Sequence, residues 1–245
     1  LGARALAALT VAAACAAASA GCTRNTPART ASFKAKPLSL PPKIDTRWRV
    51  PLHPGVPWDY KVQEFSRPVF MEGRESLIVG TSEGRVFRLR AGNGERLWAA
   101  TLESERDDEL RVHAEPTVGE KIVWVPTLSG TIHALDLSDG EQLWEYQAED
   151  AVEGRMALAE GRIIAADSRE VLHALDAETG KRLWRYSRQL PEAFTIKGGG
   201  SPVVDGQAVY TGFADGVLTA IQIDTGELLW ATDLGDDSPE FTDVD

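Results

Sequence analysis

The stretch Gly130-Thr131-Ile132-His133-Ala134-Leu135-Asp136, running through Gly140 to Leu143-Trp144, decides the fold. Its frame returns as Leu172-His173-Ala174-Leu175-Asp176, Thr179-Gly180 and Leu183-Trp184. It returns again as Gly216-Val217-Leu218-Thr219-Ala220-Ile221, Thr225-Gly226 and Leu229-Trp230. A weaker copy precedes all three: Gly84-Arg85-Val86-Phe87-Arg88-Leu89, Gly94 and Leu97-Trp98. Trp98, Trp144, Trp184 and Trp230 stand 46, 40 and 46 residues apart. A period of 40–50 residues is that of propeller blades or solenoid units, none of which can bury its faces without neighbours.

Each repeat divides into four short strands. In the second, residues 114–118, 121–126, 131–137 and 141–147 are separated by turns at Gly119-Glu120, Ser129-Gly130 and Ser138-Asp139-Gly140. Short runs bounded by Gly, Asp and Ser predict antiparallel hairpins. The glycine before each third strand, and the one before Leu-Trp, suit turn positions with positive φ. Alternation around Ile132 and Ala134 predicts a strand with one face against a neighbouring sheet. The fold class expected is all-β, a propeller of four-stranded antiparallel blades at about 67–102, 114–148, 155–188 and 201–234.

In this scheme the tryptophans are structural. A flat ring on the outermost strand covers the gap between adjacent blades, and stacking blades is how such sheets bury both faces. Trp48, in Thr46-Arg47-Trp48-Arg49-Val50, resembles a fifth outer strand with no inner strands before it, as in propellers whose N-terminal strand closes the last blade. The last blade would then lie beyond residue 245. The chain, beginning at Leu1 and running out at Phe241-Thr242-Asp243-Val244-Asp245, is expected to be part of a longer protein.

The N-terminal region carries an address. Ala5 to Ala20 is an apolar, alanine-rich run behind Arg4, short for a membrane span and ending in small residues, as a secretory signal does. Ser19-Ala20-Gly21-Cys22 resembles a bacterial lipoprotein cleavage box, with Ser19 in place of the usual leucine. Residues 1–21 thus read as a lipoprotein signal peptide and Cys22 as the acylated N-terminus. Thr23, where a protein kept in the inner membrane commonly carries Asp, points to the outer membrane by that resemblance. Residues 22–44, rich in Thr, Ala, Ser, Pro and Lys, read as a flexible tether, and 45–245 as the propeller portion.

Composition narrows the chemistry. Among 245 residues the formal net charge is −11, which argues against a general nucleic-acid binder. The two cysteines are Cys15 and Cys22, so the folded part has no disulfide, thiol nucleophile or thiolate metal site. His133 and His173 share one register of successive repeats, where the other two repeats carry Phe87 and Thr219. That reads as a strand position tolerant of size, not a metal site. His53 and His113 add no ligand spacing. Gly198-Gly199-Gly200 opens a strand and lacks the Lys-Ser/Thr of a phosphate loop. Glu103, Glu105, Asp107, Asp108 and Glu109 read as a solvated loop between blades. No catalytic residue, metal or cofactor is expected.

The run Ala174-Leu175-Asp176-Ala177-Glu178-Thr179-Gly180-Lys181-Arg182-Leu183-Trp184 resembles the repeat of the PQQ-like β-propeller superfamily. With the lipoprotein start, the tether and Trp48, the chain is similar to the BamB family, lipoproteins of the outer-membrane β-barrel assembly machinery. The resemblance implies an eight-bladed propeller, about half of it in this chain. It implies a lipid-anchored scaffold on the periplasmic face of the outer membrane, which binds the periplasmic repeats of the central barrel subunit and assists insertion of nascent outer-membrane proteins. The loop Phe194-Thr195-Ile196-Lys197-Gly198 resembles the family's apolar-x-apolar-basic-Gly contact segment, and Asp243-Val244-Asp245 matches its Asp-Val-Asp. By that resemblance Phe194, Ile196, Lys197, Asp243 and Asp245 are the partner-binding residues. Lys197 stands where the family has arginine, so the bidentate fork is lost while the charge is kept. The competing readings of those segments are an ordinary inter-blade loop and turn-capping aspartates. Two other functions fit the same repeats. One is a propeller binding another protein, peptide or carbohydrate. The other is a PQQ- and calcium-dependent dehydrogenase, whose adjacent cysteines this chain lacks.

Overall fold

A computed structural model describes residues 45–53, 66–104, 110–188 and 200–235. The chain divides into two compact units, Leu1–Asp45 and Thr46–Asp245. Apart from Asp45, the first lies outside the described residues, and with it Cys22 and the segments read as signal and tether.

The second unit holds four sheets, each of four antiparallel strands in sequence order. The first blade is β1 (Val69–Met71), β2 (Ser76–Gly80), β3 (Arg85–Arg90) and β4 (Arg96–Thr101). The second is β5 (Thr117–Val118), β6 (Ile122–Pro126), β7 (Thr131–Asp136) and β8 (Gln142–Gln147). The third is β9 (Ala157–Ala159), β10 (Arg162–Ala166), β11 (Leu172–Asp176) and β12 (Arg182–Tyr186). The fourth is β13 (Val203–Asp205), β14 (Ala208–Gly212), β15 (Val217–Gln222) and β16 (Leu228–Asp233). The repeated sequence frame is therefore one blade per period, as expected. All four blades share one irregularity. The pairing of third and fourth strands slips after Arg88, Ala134, Ala174 and Ala220, a bulge that increases local twist.

Burial shows how completely stacking covers the middle strands. On β7 every residue from Thr131 to Leu135 is buried, and on β6 every residue from Val123 to Pro126. The middle strands are covered on both faces, so they read as continuous apolar runs, whereas outer strands such as β4 alternate. The core consists of layers between consecutive blades. Ile78, Val86 and Trp98 of the first meet Val123, Val125 and Leu135 of the second. Trp124 and Ala134 meet Ile163 and Leu175, and Ile164, Ala174 and Trp184 meet Val209 and Ile221. Each fully buried aliphatic or aromatic side chain of this kind contributes roughly 1.5–3 kcal/mol.

The tryptophans sit at these layers. Trp98 and Trp184 are 8% and 7% exposed, and their Nε1–H groups donate across the blade boundary to Leu137 O (2.9 Å) and Ile223 O (2.7 Å). Under each ring lies the turn glycine of the next blade. Gly140 has φ 83°, and a Cβ there would stand 2.8 Å from the Trp98 ring; at Gly180, φ 70°, it would stand 2.5 Å from Trp144. Trp48 repeats the contact on the first blade, against Gly94 and with its Nε1–H donating to Ala91 O (2.9 Å). The segment around Trp48 thus covers the first blade as each outer strand covers the next. Trp230 has no such cover among the described residues and is 42% exposed.

Two positions break the repeat. Trp144 Nε1 has no hydrogen-bond partner, and the carbonyl at the matching place, Ala177 O, accepts instead from Trp124 Nε1 (3.1 Å). And where three blades place a positive-φ glycine before the third strand (Gly84, Gly130, Gly216), the third blade has Glu170, with φ 62°.

Candidate protein-interaction face

One end of the blades gathers the connections between them. The residue leaving the fourth strand donates to the glycine opening the third: Leu102 N to Gly84 O (2.8 Å), Ala148 N to Gly130 O (2.8 Å), Leu234 N to Gly216 O (3.0 Å). Inter-blade segments therefore depart beside the turn between second and third strands.

On the fourth blade that turn, Phe213–Gly216, also anchors the incoming segment. The Arg188 guanidinium forks onto Asp215, Nη1 to Oδ1 at 3.0 Å and Nη2 to Oδ2 at 2.9 Å, and lies 5.0 Å from the Phe213 ring centroid. Both ion-pair side chains are mostly buried, and bidentate, stacked geometry makes such a pair stronger than an isolated surface pair. At the other end of the segment, Gly200 N donates to Gly212 O (3.2 Å) and Thr211 Oγ1 to Gly200 O (3.3 Å). Arg188 and Leu234, at or beside the last described residues before segments 189–199 and 236–245, thus both bond to this one turn. Phe194, Ile196 and Lys197 belong to the first, and Asp243 and Asp245 to the second. All five lie outside the described residues.

Glu170 ties the third blade to the same turn. Its left-handed backbone directs the carboxylate across the blade boundary, where Oε1 accepts from Ala214 N (2.6 Å) while Oε2 is buried without a partner. A non-glycine residue at φ 62° costs roughly 1–3 kcal/mol, a strain maintained by what surrounds it. The signal was present in the sequence: Ser168-Arg169-Glu170 interrupts a column of glycines.

Beneath this face, blades two and three share a polar network. Asp167 Oδ1 accepts from Arg169 N and Val171 N, both at 3.0 Å, and Oδ2 lies 3.1 Å from His173 Nε2. The other imidazole nitrogen, Nδ1, is 3.0 Å from Tyr146 Oη of the preceding blade. Neutral His173 satisfies all three groups when Nε2 carries the proton and the Tyr146 hydroxyl donates to Nδ1. Burial alone would raise the Asp167 pKa; the bonds from His173 and Val171 N–H outweigh it and hold the carboxyl below its ordinary range. Nearby, Arg185 forks onto Glu149, and that hydrogen bonding holds the Glu149 carboxyl low against burial. The Asp–His–Tyr chain has the composition of a proton relay. His173 and Asp167 are fully buried, and Tyr146 is half-buried.

Along the other margin the innermost strands β1, β5, β9 and β13 line an open groove of about 740 Å³, where Phe70, Leu158 and Val203 are exposed. Neither histidine of the repeats lines it. Among the described residues no three His, Cys, Asp or Glu side chains are grouped as a metal ion requires.

Residues 82–244 match the sequence profile of a family described as outer membrane protein assembly factor BamB. The chain belongs to this family. A BamB of Legionella pneumophila is 27% identical over 174 residues, 69% of this chain and 43% of that protein. The chain therefore spans less than half the length of this curated relative. The crystal structure of BamB from Moraxella catarrhalis superposes with a TM-score of 0.58 at 19% identity, over 70% of this chain and 51% of that one. A quinohemoprotein alcohol dehydrogenase of Pseudomonas putida superposes with a TM-score of 0.56, also at 19% identity, over 71% and 34%. The two structural likenesses share a fold and nothing narrower, since one is an assembly factor and the other an oxidoreductase.

Proposed function

We propose that this chain is the N-terminal portion of a non-catalytic scaffold lipoprotein that assists assembly and insertion of outer-membrane β-barrel proteins. The observation that carries the reading is the BamB family match across residues 82–244. In this reading residues 1–21 are a signal peptide and Cys22 carries the lipid. Residues 22–44 tether the propeller to the periplasmic face of the outer membrane.

The partner is the periplasmic repeat region of the central barrel subunit. Its contact site is the pair of segments that depart from Phe213–Gly216. Phe194 and Ile196 supply apolar anchors, while Lys197, Asp243 and Asp245 set register and exclude partners of the wrong charge. The Arg188–Asp215 fork and the Gly200–Gly212 bond support this assignment, because loops that bind are best presented from rigid attachment points.

The test is pull-down of the full-length protein with those periplasmic repeats. Wild type is compared with Phe194→Ala/Ile196→Ala and with Asp243→Ala/Asp245→Ala. Both double variants should remain folded and lose most binding; folded variants that bind like wild type would show the contact lies elsewhere. Mass spectrometry of the mature N-terminus decides whether Cys22 is acylated. Alcohol oxidation on addition of PQQ and calcium would revive the dehydrogenase reading in place of the scaffold.

A further inference from the structure

The register of the four blades isolates one residue on the opposite side of the first boundary. The third-strand position paired with the repeat tryptophan is Ala134, Ala174 and Ala220 in blades two to four, but Arg88 in blade one. Alanine is what the packing of this layer requires; Arg88 adds a long cation to it. Its guanidinium is half-buried and bonded only to neutral acceptors. Nε donates to Ser76 Oγ (3.2 Å) and Nη1 to Leu137 O (2.8 Å), the carbonyl that also receives Trp98. Nη2 is left with both of its hydrogens.

Arg74 flanks the same place, with Nη2 donating to Glu120 O (2.6 Å) and its remaining N–H groups unused. With Lys121, Glu120, Asp136 and Ser138, the two arginines line a cleft of about 310 Å³ between blades one and two. The carboxylates do not neutralise them. Asp136 turns Oδ1 to its own turn, accepting from Ser138 N (2.7 Å) and Ser138 Oγ (2.6 Å), and forms no ion pair with either arginine. Among the described residues neither arginine forms an ion pair. Burial first, and then the nearby Arg74 charge, lower the pKa of Arg88, as expected of a cation with another cation beside it.

We propose that this cleft binds a phosphate-class oxyanion, held between Arg88 at its buried end and Arg74 at its mouth. The N–H groups left over on Arg88, from strand β3, and on Arg74, from the β1–β2 turn, approach from two directions and suit a tetrahedral anion with three or more acceptor oxygens better than a planar carboxylate. The phosphate could be free in solution or belong to a lipid headgroup; both present the same oxygens.

The full-length protein is titrated calorimetrically with inorganic phosphate at low ionic strength. In parallel the full chain with Cys22→Ser, which cannot be acylated, is mixed with phosphatidylcholine vesicles with and without phosphatidic acid. Wild type should bind one phosphate per chain, or bind only the vesicles containing phosphatidic acid, which would assign the lipid source. Arg88→Ala restores the residue of the sister blades and should leave the thermal midpoint unchanged while weakening binding at least about tenfold. Arg74→Gln, on the exposed rim, should do the same in a second, independently folded variant. No binding in either arm, or binding unchanged in both variants, overturns the proposal.

Discussion

Blades two and three contain the same tetrapeptide, His-Ala-Leu-Asp, in the same register, yet bury their histidines differently. His173 has a carboxylate on one nitrogen and a phenol on the other. His133 has Gln142 Oε1 at 2.9 Å from Nδ1, and its buried Nε2 has no partner. Two neighbouring positions account for the contrast. The turn cap of blade three is Asp167, whose Oδ1 accepts from Val171 N while Oδ2 is left for His173. The cap of blade two is Thr127, whose single oxygen accepts from Thr131 N (3.1 Å) and has nothing left for His133. The preceding outer strand supplies Tyr146 to His173, but at the matching place it offers only Ala100 to His133. The same residue in the same repeat is a satisfied network member in one blade and a desolvated base in the next.

The largest effect should come from the carboxylate. Asp167→Ala removes one partner of a buried, fully bonded cluster and should destabilise by about 3 kcal/mol, whereas Thr127→Ala should cost about 1 kcal/mol. Urea unfolding of the two variants measures the difference, and equal costs would break the contrast. The tryptophans offer a second version of it. Trp184→Phe loses a made hydrogen bond and should cost about 1 kcal/mol more than Trp144→Phe, whose Nε1 is already unpaired.

A transplant tests the explanation directly. Thr127→Asp gives His133 the second oxygen it lacks and should move its pKa upward, read from imidazole proton shifts across pH; an unmoved titration would mean the cap does not reach the ring.

The smallest effect is in pH dependence. Burial, only partly offset by Gln142 and Glu145, lowers the His133 pKa from 6.5. A folded-state pKa below the unfolded one means stability is complete above 6.5 and is lost as pH falls toward the folded value, because the unfolded chain takes up the proton first. His133→Gln should flatten that part of the stability curve. Asp167, also depressed, acts in a lower window: its contribution is present above about pH 4 and is lost as pH falls further. Asp167→Asn should shrink the acid loss specifically.

Much of this molecule could be read before folding it. The spacing of Trp98, Trp144, Trp184 and Trp230 gives the number of blades, and the turn residues give the strand breaks. Periodicity serves well here because each blade faces the same packing problem, and the same residues solve it. The alternation around Ile132 and Ala134 pointed to one covered face; cover on the opposite face followed from stacking of the blades, not from the alternation. The loops at 194–197 and 243–245 were legible only through family resemblance, and their residues lie outside the described structure. What the described residues contribute beside those segments is the turn at Phe213–Gly216. Arg188, Asp215 and Glu170 meet there from the end of β12 and two separate turns, with no periodicity to announce them.

By itself, then, the sequence determined the architecture: a repeated strand pattern, glycines where rings must lie flat, and a tryptophan per blade to lie there. Those are local or nearest-neighbour requirements, so they leave a trace in every copy. Only the tertiary structure decided the roles of the residues that depart from the pattern. Arg88 among alanines, Glu170 among glycines and the two unlike histidines are each defined by atoms a blade away. A side chain's chemistry is set by which groups remain free to meet it, and those are known only once the blades are stacked.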